Sequence, residues 1–200
     1  DMQEEADKRK ALFLGKFFKT GKGGYAEDDV FIGLTVPQSR IIVGKYKDLP
    51  LHEVLSLIKS KIHEERLIAL LLLVYQFKKG DEKSKKEIYH AYLANTKWVN
   101  NWDLVDLSAD KIVGGYLVDE IATSPKASRN DILGKLAHSK ELWEKRISMI
   151  ATFAFIKKGE YEMTFKIAEI LLHDKHDLIH KAVGWMLREV GKRVSEKAEE

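Results

Sequence analysis

The sequence predicts an all-α protein, and three observations lead to that prediction. Apolar residues recur with the helical period along most of the chain, and no segment shows the strict alternation of a half-buried strand. Proline, which interrupts helices, occurs only 3 times in 200 residues. The connectors Gly80-Asp81 and Gly159-Glu160 are short, and short connectors favour antiparallel neighbouring helices.

The first half of the chain predicts four helices and one long loop. Leu12, Phe13, Phe17 and Phe18 form an apolar stripe in the first helix, which a glycine-rich turn at 20–24 and a loop at 25–36 follow. Two prolines suit the first turns of the next two helices, and a glycine that follows two lysines ends the fourth. These helices are predicted to span residues 3–18, 37–47, 50–59 and 62–79.

The second half predicts six helices and contains an internal repeat. The helices are predicted over residues 82–95, 101–121, 128–138, 140–158, 161–173 and 176–192. Residues 65–81 resemble 145–160, with an offset of 80 at Arg66 and Arg146, and a weaker third copy starts at Lys181. Spacings near 40 residues are typical of HEAT-type helix pairs. We therefore expect one domain over residues 1–200, an α-α superhelical solenoid with a concave binding face. An irregular helical bundle is the alternative.

The composition excludes several classes of protein and of site. The chain contains no cysteine, which excludes disulfides, thiolate zinc sites, iron–sulfur clusters and cysteine nucleophiles. Its longest apolar run, Leu67 to Val74, is far shorter than the roughly 20 residues of a membrane span, and its charged N-terminus is unlike a secretion signal. The net charge of +3 is too small to indicate nucleic acid by itself. We expect a cytoplasmic protein with no membrane partner.

The most informative segment runs from residue 100 to residue 108. An asparagine at 100 or 101 can cap the following helix, and Asp103 lies in its first turn, where the helix dipole favours an anion. Trp102 and Asp106 are four residues apart, so they lie one turn apart at the rim of the apolar stripe. A functional pair is one interpretation. The other is a structural pair, with the tryptophan in the core and the carboxylate capped or salt-bridged.

Other candidate sites are weaker. His173, His176 and His180 could share a helix face and hold a metal, but a helix break near 173–176 favours solvated histidines. The glycine-rich segment 20–24 follows a helix rather than a strand, so it does not fit a phosphate-binding loop. We therefore expect no metal and no cofactor.

Four segments together resemble the AlkD-type DNA alkylation-repair glycosylases over residues 11–193. They are FFKTGKGGY followed by FIGLTVPQSR, WVNNWDLVDLSA, ELWEKRISMIATFAFIKKGE and HKAVGWMLREVGKR. The resemblance implies a protein built from HEAT-like repeats that binds duplex DNA in its concave groove. The family usually continues past the last matched helix, which leaves open that the C-terminal repeat is truncated here.

The resemblance also implies an activity and its residues. Members of the family hydrolyse the N-glycosidic bond of positively charged bases such as 3-methyladenine and 7-methylguanine, which is the first step of base excision repair. By the resemblance, Asp106 is the catalytic carboxylate, Trp102 and Trp185 contact the sugar, and Arg146 contacts a backbone phosphate. Tyr25 corresponds to another residue of the cleft.

The chemistry agrees with these residue types. A cationic purine leaves as a neutral base, so positive charge develops on the deoxyribose, where a carboxylate and tryptophan faces stabilise it. We expect a monomer that needs no cofactor, forms no Schiff base and associates with the nucleoid. Two alternatives remain: a HEAT-repeat protein that binds damaged or structured DNA without catalysis, and a protein–protein scaffold.

Overall fold

A computed structural model describes residues 2, 4–119 and 127–199 and confirms the all-α prediction. Within these residues no strand occurs, and the only β-type pairing is an isolated parallel bridge between Val30 and Ile62. None of the described helices combines the length and the apolar composition that a bilayer crossing requires. The chain divides into two compact units, residues 1–104 and 105–200, and the single-domain solenoid stays a prediction.

The first unit is built around one long buried helix. Helix α4 packs against α2, α3 and α5, and its buried side chains include Leu70, Leu73 and Phe77. The helices of this unit are α1 (Lys8–Phe17), α2 (Val36–Lys45), α3 (Leu51–Leu57), α4 (His63–Lys79) and α5 (Glu82–Ala94), followed by a 3-10 turn at Thr96–Trp98. Helix α6 (Trp102–Ala109) begins in this unit and crosses into the second.

The second unit is built around α9, which packs against α8, α11 and α12. After α6 come a π-helical segment (Asp110–Gly114), α7 (Gly115–Asp119), α8 (Ala127–Ala137), α9 (Leu142–Ala151), α10 (Phe153–Lys157), α11 (Glu162–Leu171) and α12 (Asp177–Glu199). The two similar segments of the sequence thus form the central helices of the two units, α4 in one and α9 with α10 in the other.

Several predicted helix limits are wrong, for local reasons. The first helix begins at Lys8 rather than residue 3, because the Asp7 side chain accepts hydrogen bonds from the backbone N–H groups of Arg9 and Lys10 as an N-cap. The last helix continues to Glu199 instead of ending at 192.

Two long predicted helices are interrupted. The helix predicted at 140–158 breaks at Thr152, whose hydroxyl donates to the carbonyl of Met149 at 2.7 Å, a bond that bends helices. The helix predicted at 101–121 contains the π-helical segment, and residues 120 and 121 lie outside the described residues.

Candidate functional site

Asp106 is held by a buried arginine. Asp106 lies on α6 and Arg146 on α9; the guanidinium donates from Nε to Oδ1 at 2.9 Å and from Nη2 to Oδ2 at 2.8 Å. Such a two-point contact fixes the plane of the carboxylate. The Arg146 side chain is 5% exposed and that of Asp106 is 18% exposed. The carboxylate is therefore the part of the pair that an incoming molecule can reach.

The same guanidinium reaches a third helix. Its Nη1 donates to the backbone carbonyl of Leu178 in the first turn of α12. Arg146 thereby ties the helix that carries Asp106 to the helix that carries Trp185, two turns beyond Leu178. The phosphate contact expected of Arg146 stays a prediction. Its contacts with Asp106 and Leu178 were not predicted by the sequence.

Trp185 lies in a cluster of aromatic and basic side chains. The half-buried indole contacts the ring of Phe153, with centroids 6.2 Å apart and planes at 46°. Lys157 Nζ lies 4.2 Å from the Phe153 centroid and the guanidinium of Arg193 lies 5.5 Å from it. Lys157 also pairs at 2.7 Å with the buried Asp110, the first residue of the π-helical segment. Phe153, which contacts Trp185, therefore lies next to two cationic side chains.

Trp102 and Tyr25 come together in the first unit. The Trp102 indole Nε1 donates to the Tyr25 hydroxyl at 3.1 Å. The indole stacks on Phe18 with centroids 5.2 Å apart and meets the edge of Phe17 at 6.0 Å. The Asn101 side chain, immediately before α6, accepts a hydrogen bond from the Trp102 backbone N–H at 2.8 Å. The tryptophan is thus fixed at its backbone, its ring face and its ring nitrogen.

A buried histidine, His63, contacts the ring of Phe18 on which Trp102 stacks. His63 Nδ1 contacts Asp29 at 3.1 Å and His63 Nε2 contacts Asp103 at 2.8 Å. The ring of Phe31 stacks on the imidazole at 4.5 Å, and that of Phe18 lies tilted against it at 5.2 Å. Burial opposes the charged form of His63, but the hydrogen bonds and negative charges of the two aspartates outweigh it. The pKa of His63 is therefore raised above its ordinary value.

Asp29 joins the histidine to a second buried arginine. Arg66 Nη2 donates to Asp29 at 2.6 Å and Nη1 donates to the Ser60 carbonyl at 2.7 Å. The side-chain amides of Asn100 and Asn101 also donate to Asp29. Burial raises the pKa of Asp29, but the His63 hydrogen bond and the Arg66 charge outweigh it, so the net shift is downward. We call Asp29, His63, Arg66 and Asp103 the buried network.

The internal repeat relates the two arginines. Arg66 and Arg146 are 80 positions apart, both are buried, and each donates to one aspartate and to one backbone carbonyl. Their aspartates differ, because the Asp29 side chain is only 3% exposed and that of Asp106 is 18% exposed. The repeat could have indicated an acidic partner for Arg66. It could not have identified Asp29, which lies 37 residues earlier.

In the described part of the chain, no group of three or more histidine, aspartate or glutamate side chains is arranged so that it could hold a metal ion. His173 and His176 lie in the predicted break, between the end of α11 at Leu171 and the start of α12 at Asp177, whereas His180 lies on α12. His180 contacts the backbone carbonyl of Asp174, which ties the start of α12 to the connecting loop.

The comparisons agree with the resemblance seen in the sequence. A family model described as DNA alkylation repair enzyme matches residues 1–200. A structure titled "Predicted DNA alkylation repair enzyme from Enterococcus faecalis" is similar in fold, with a TM-score of 0.69 and 15% sequence identity, over 98% of this chain and 87% of that one. No curated protein matches. The chain belongs to the DNA alkylation repair enzyme family.

Proposed function

We propose that the protein is a monofunctional DNA glycosylase that removes cationic alkylated purines, 3-methyladenine and 7-methylguanine, from duplex DNA. The observation that carries the proposal is the geometry of Asp106. Its carboxylate is partly exposed, and two hydrogen bonds from a buried arginine fix its orientation. Membership in the family supplies the class of substrate, since alkylation repair acts on alkylated DNA.

The proposed reaction needs few groups because the substrate is already charged. When the bond between C1′ and the purine nitrogen breaks, its electron pair goes to the purine, which leaves as a neutral base without a general acid. Positive charge develops on the deoxyribose, and the Asp106 carboxylate stabilises it electrostatically. A water oxygen then bonds to C1′ and loses a proton to the carboxylate or to solvent.

The other residues assist this step in the proposal. Trp102 and Trp185 contact the sugar, where an indole face attracts the developing cation by about 0.5–2 kcal/mol. Tyr25 orients Trp102 through its hydrogen bond to the indole nitrogen. Arg146 orients Asp106 through its two hydrogen bonds to the carboxylate.

The proposal is tested by incubating the wild-type protein with duplex DNA treated with a methylating agent and measuring the bases released. Release of 3-methyladenine or 7-methylguanine, with the DNA strand left intact at the abasic site, is the expected result. Affinity for the duplex is measured in parallel at 50 and 200 mM salt. No release together with salt-sensitive binding would indicate a non-catalytic DNA-binding protein, and no release with no binding would indicate a scaffold.

A further inference from the structure

Helix α1 presents a group of large apolar side chains to solvent. Leu12 is 71% exposed, Phe13 is 66% exposed and Phe17 is 54% exposed. The two phenyl rings stack on each other, with centroids 6.2 Å apart and planes at 15°. Single exposed apolar residues are common on protein surfaces, whereas a contiguous group marks an interaction site. We call these three residues with Arg9 and Lys16 the α1 patch.

The rest of the first unit holds this helix firmly at both ends. The Asp7 backbone N–H donates to the Ile32 carbonyl at 2.9 Å, and Gly33 packs so closely that a Cβ there would lie 2.1 Å from the Asp7 carbonyl oxygen. At the other end, the buried Phe18 stacks on Phe31 at 5.1 Å. The outward face of α1 is therefore exposed on a fixed helix, which lowers the entropy cost of binding a partner.

The positive charge around the α1 patch favours binding of a polyanion. Between residues 8 and 22 the chain carries six basic side chains and no acidic one: Lys8, Arg9, Lys10, Lys16, Lys19 and Lys22. Arg9, Phe13 and Lys16 are spaced by four and three residues, so cations and rings share one helix face. Basic side chains interleaved with exposed aromatic rings suit nucleic acid, since the cations contact phosphates and the rings stack on bases.

The patch is continuous with a residue of the proposed active site. Phe17 packs edge-on against Trp102, which the proposed mechanism places at the sugar. We propose that the α1 patch binds the DNA strand beside the lesion, with Arg9 and Lys16 on phosphates and Phe13 stacked on a base that the lesion has left unstacked. This inference rests on the proposed function for its ligand. A basic helix with apolar residues also fits an anionic membrane, but the contact with Trp102 favours DNA.

The test measures binding of fluorescently labelled DNA by anisotropy. The probes are a fully paired duplex and the same duplex with one tetrahydrofuran abasic analogue, which leaves neighbouring bases unstacked. The variant Phe13→Ala/Lys16→Gln is compared with Phe165→Ala/Lys166→Gln, which removes an exposed phenylalanine and an exposed lysine from α11. All these side chains are exposed, and circular dichroism with thermal melting verifies that both variants fold.

We expect the α1 variant to bind the abasic duplex about 10-fold more weakly than wild type does. Its slope of log K against log salt should decrease by about 1, because one phosphate contact is lost. The α11 variant should bind as wild type does. Equal binding by the α1 variant and wild type would overturn the inference. So would unchanged DNA binding together with lost binding to phosphatidylglycerol vesicles, which would assign the patch to a membrane.

This binding experiment and the test of the proposed function can fail independently of each other. If wild type releases no methylated base but its DNA binding depends on the α1 patch, the glycosylase assignment fails and the surface assignment stands. If wild type releases bases and the α1 variant binds the abasic duplex equally well, the surface assignment fails and the glycosylase assignment stands.

Discussion

At the scale of single residues, the Arg66–Asp29 and Arg146–Asp106 pairs differ in how far the aspartate side chain is exposed. Arg66 and Asp29 are buried next to His63, so this pair can stabilise the fold but is not accessible to a substrate. Arg146 is equally buried, but its partner Asp106 remains accessible. In the proposed reaction, a partly exposed carboxylate held by a buried arginine is oriented before the substrate arrives, so we expect little reorganisation during the reaction.

Replacing Arg146 by lysine tests whether orientation matters beyond charge. Lysine keeps the positive charge but cannot give two parallel N–H bonds to one carboxylate. Since a hydrogen bond to a charged group contributes about 1.5–3 kcal/mol, we expect the single-turnover excision rate to decrease at least 10-fold in Arg146→Lys. Arg188→Lys, on the exposed side of α12, is the matched control. An excision rate in Arg146→Lys equal to that of wild type would show that orientation of Asp106 by Arg146 does not affect the reaction.

The buried network predicts a pH dependence of stability. The folded-state pKa of His63 is raised from 6.5, so its contribution is complete below pH 6.5 and is lost as the pH rises through the folded-state value. The folded-state pKa of Asp29 is lowered from 3.8, so its contribution is present above that pH and is lost on acidification through the folded-state value. The network therefore stabilises the protein most between pH 3.8 and 6.5.

Urea denaturation between pH 3 and 9 measures this dependence. We expect the free energy of unfolding to decrease above pH 6.5 in wild type. The decrease should be smaller in Asp103→Asn, because one of the two carboxylates on His63 is neutralised. His138→Gln changes an exposed histidine and is the control. Identical profiles for wild type and Asp103→Asn would show that Asp103 does not stabilise a charged His63.

At the scale of elements, local signals predicted helices well, and the exceptions have both local and tertiary causes. Helix α4 was predicted at 62–79 and spans His63–Lys79, because lysines and a glycine mark its end. The π-helical segment and the break at Thr152 were missed, since both lie where α10 and α9 pack against the segment after α6. A periodic pattern shows which side of a helix is apolar but not where a neighbouring backbone comes close.

Gly114 is a position where the backbone of a neighbouring helix comes close. A Cβ on Gly114 would lie 2.2 Å from the carbonyl oxygen of Ala151, so the backbone of α9 would have to move. We expect Gly114→Ala to lower the free energy of unfolding by about 1–3 kcal/mol, as overpacking does. Gly134→Ala, in open space on α8, should raise it by about 0.5–1 kcal/mol through helix propensity. Equal effects in urea denaturation would contradict this packing account.

For the candidate site as well, the sequence indicates individual residues but not the contacts between them. Family motifs predicted Asp106, Trp102, Trp185 and Arg146 as site residues, because each lies in a recognisable segment, and this remains a prediction. The contact of Arg146 with Asp106 joins residues 40 positions apart, and that of His63 with Asp29 joins residues 34 apart. Such pairs depend on the packing of separate elements, for which no local pattern exists.

For the molecule as a whole, the distribution of charge matters more than its sum. The net charge of +3 results from 34 basic and 31 acidic residues. Six of the basic residues lie between positions 8 and 22, where no acidic residue occurs. In the proposed function we therefore expect DNA affinity to depend on local basic surfaces, which the net charge does not reveal.

The most direct test of the central claim is the single-turnover excision of 7-methylguanine from a defined duplex by wild type and by Asp106→Asn. Asparagine keeps the shape of the side chain but removes the negative charge that stabilises the sugar cation. We expect wild type to release the base and Asp106→Asn to be at least about 100-fold slower, with DNA affinity retained. Asp177→Asn, at an exposed aspartate on α12, should excise as wild type does. Excision by Asp106→Asn at the wild-type rate would contradict the assignment of Asp106 as the catalytic carboxylate.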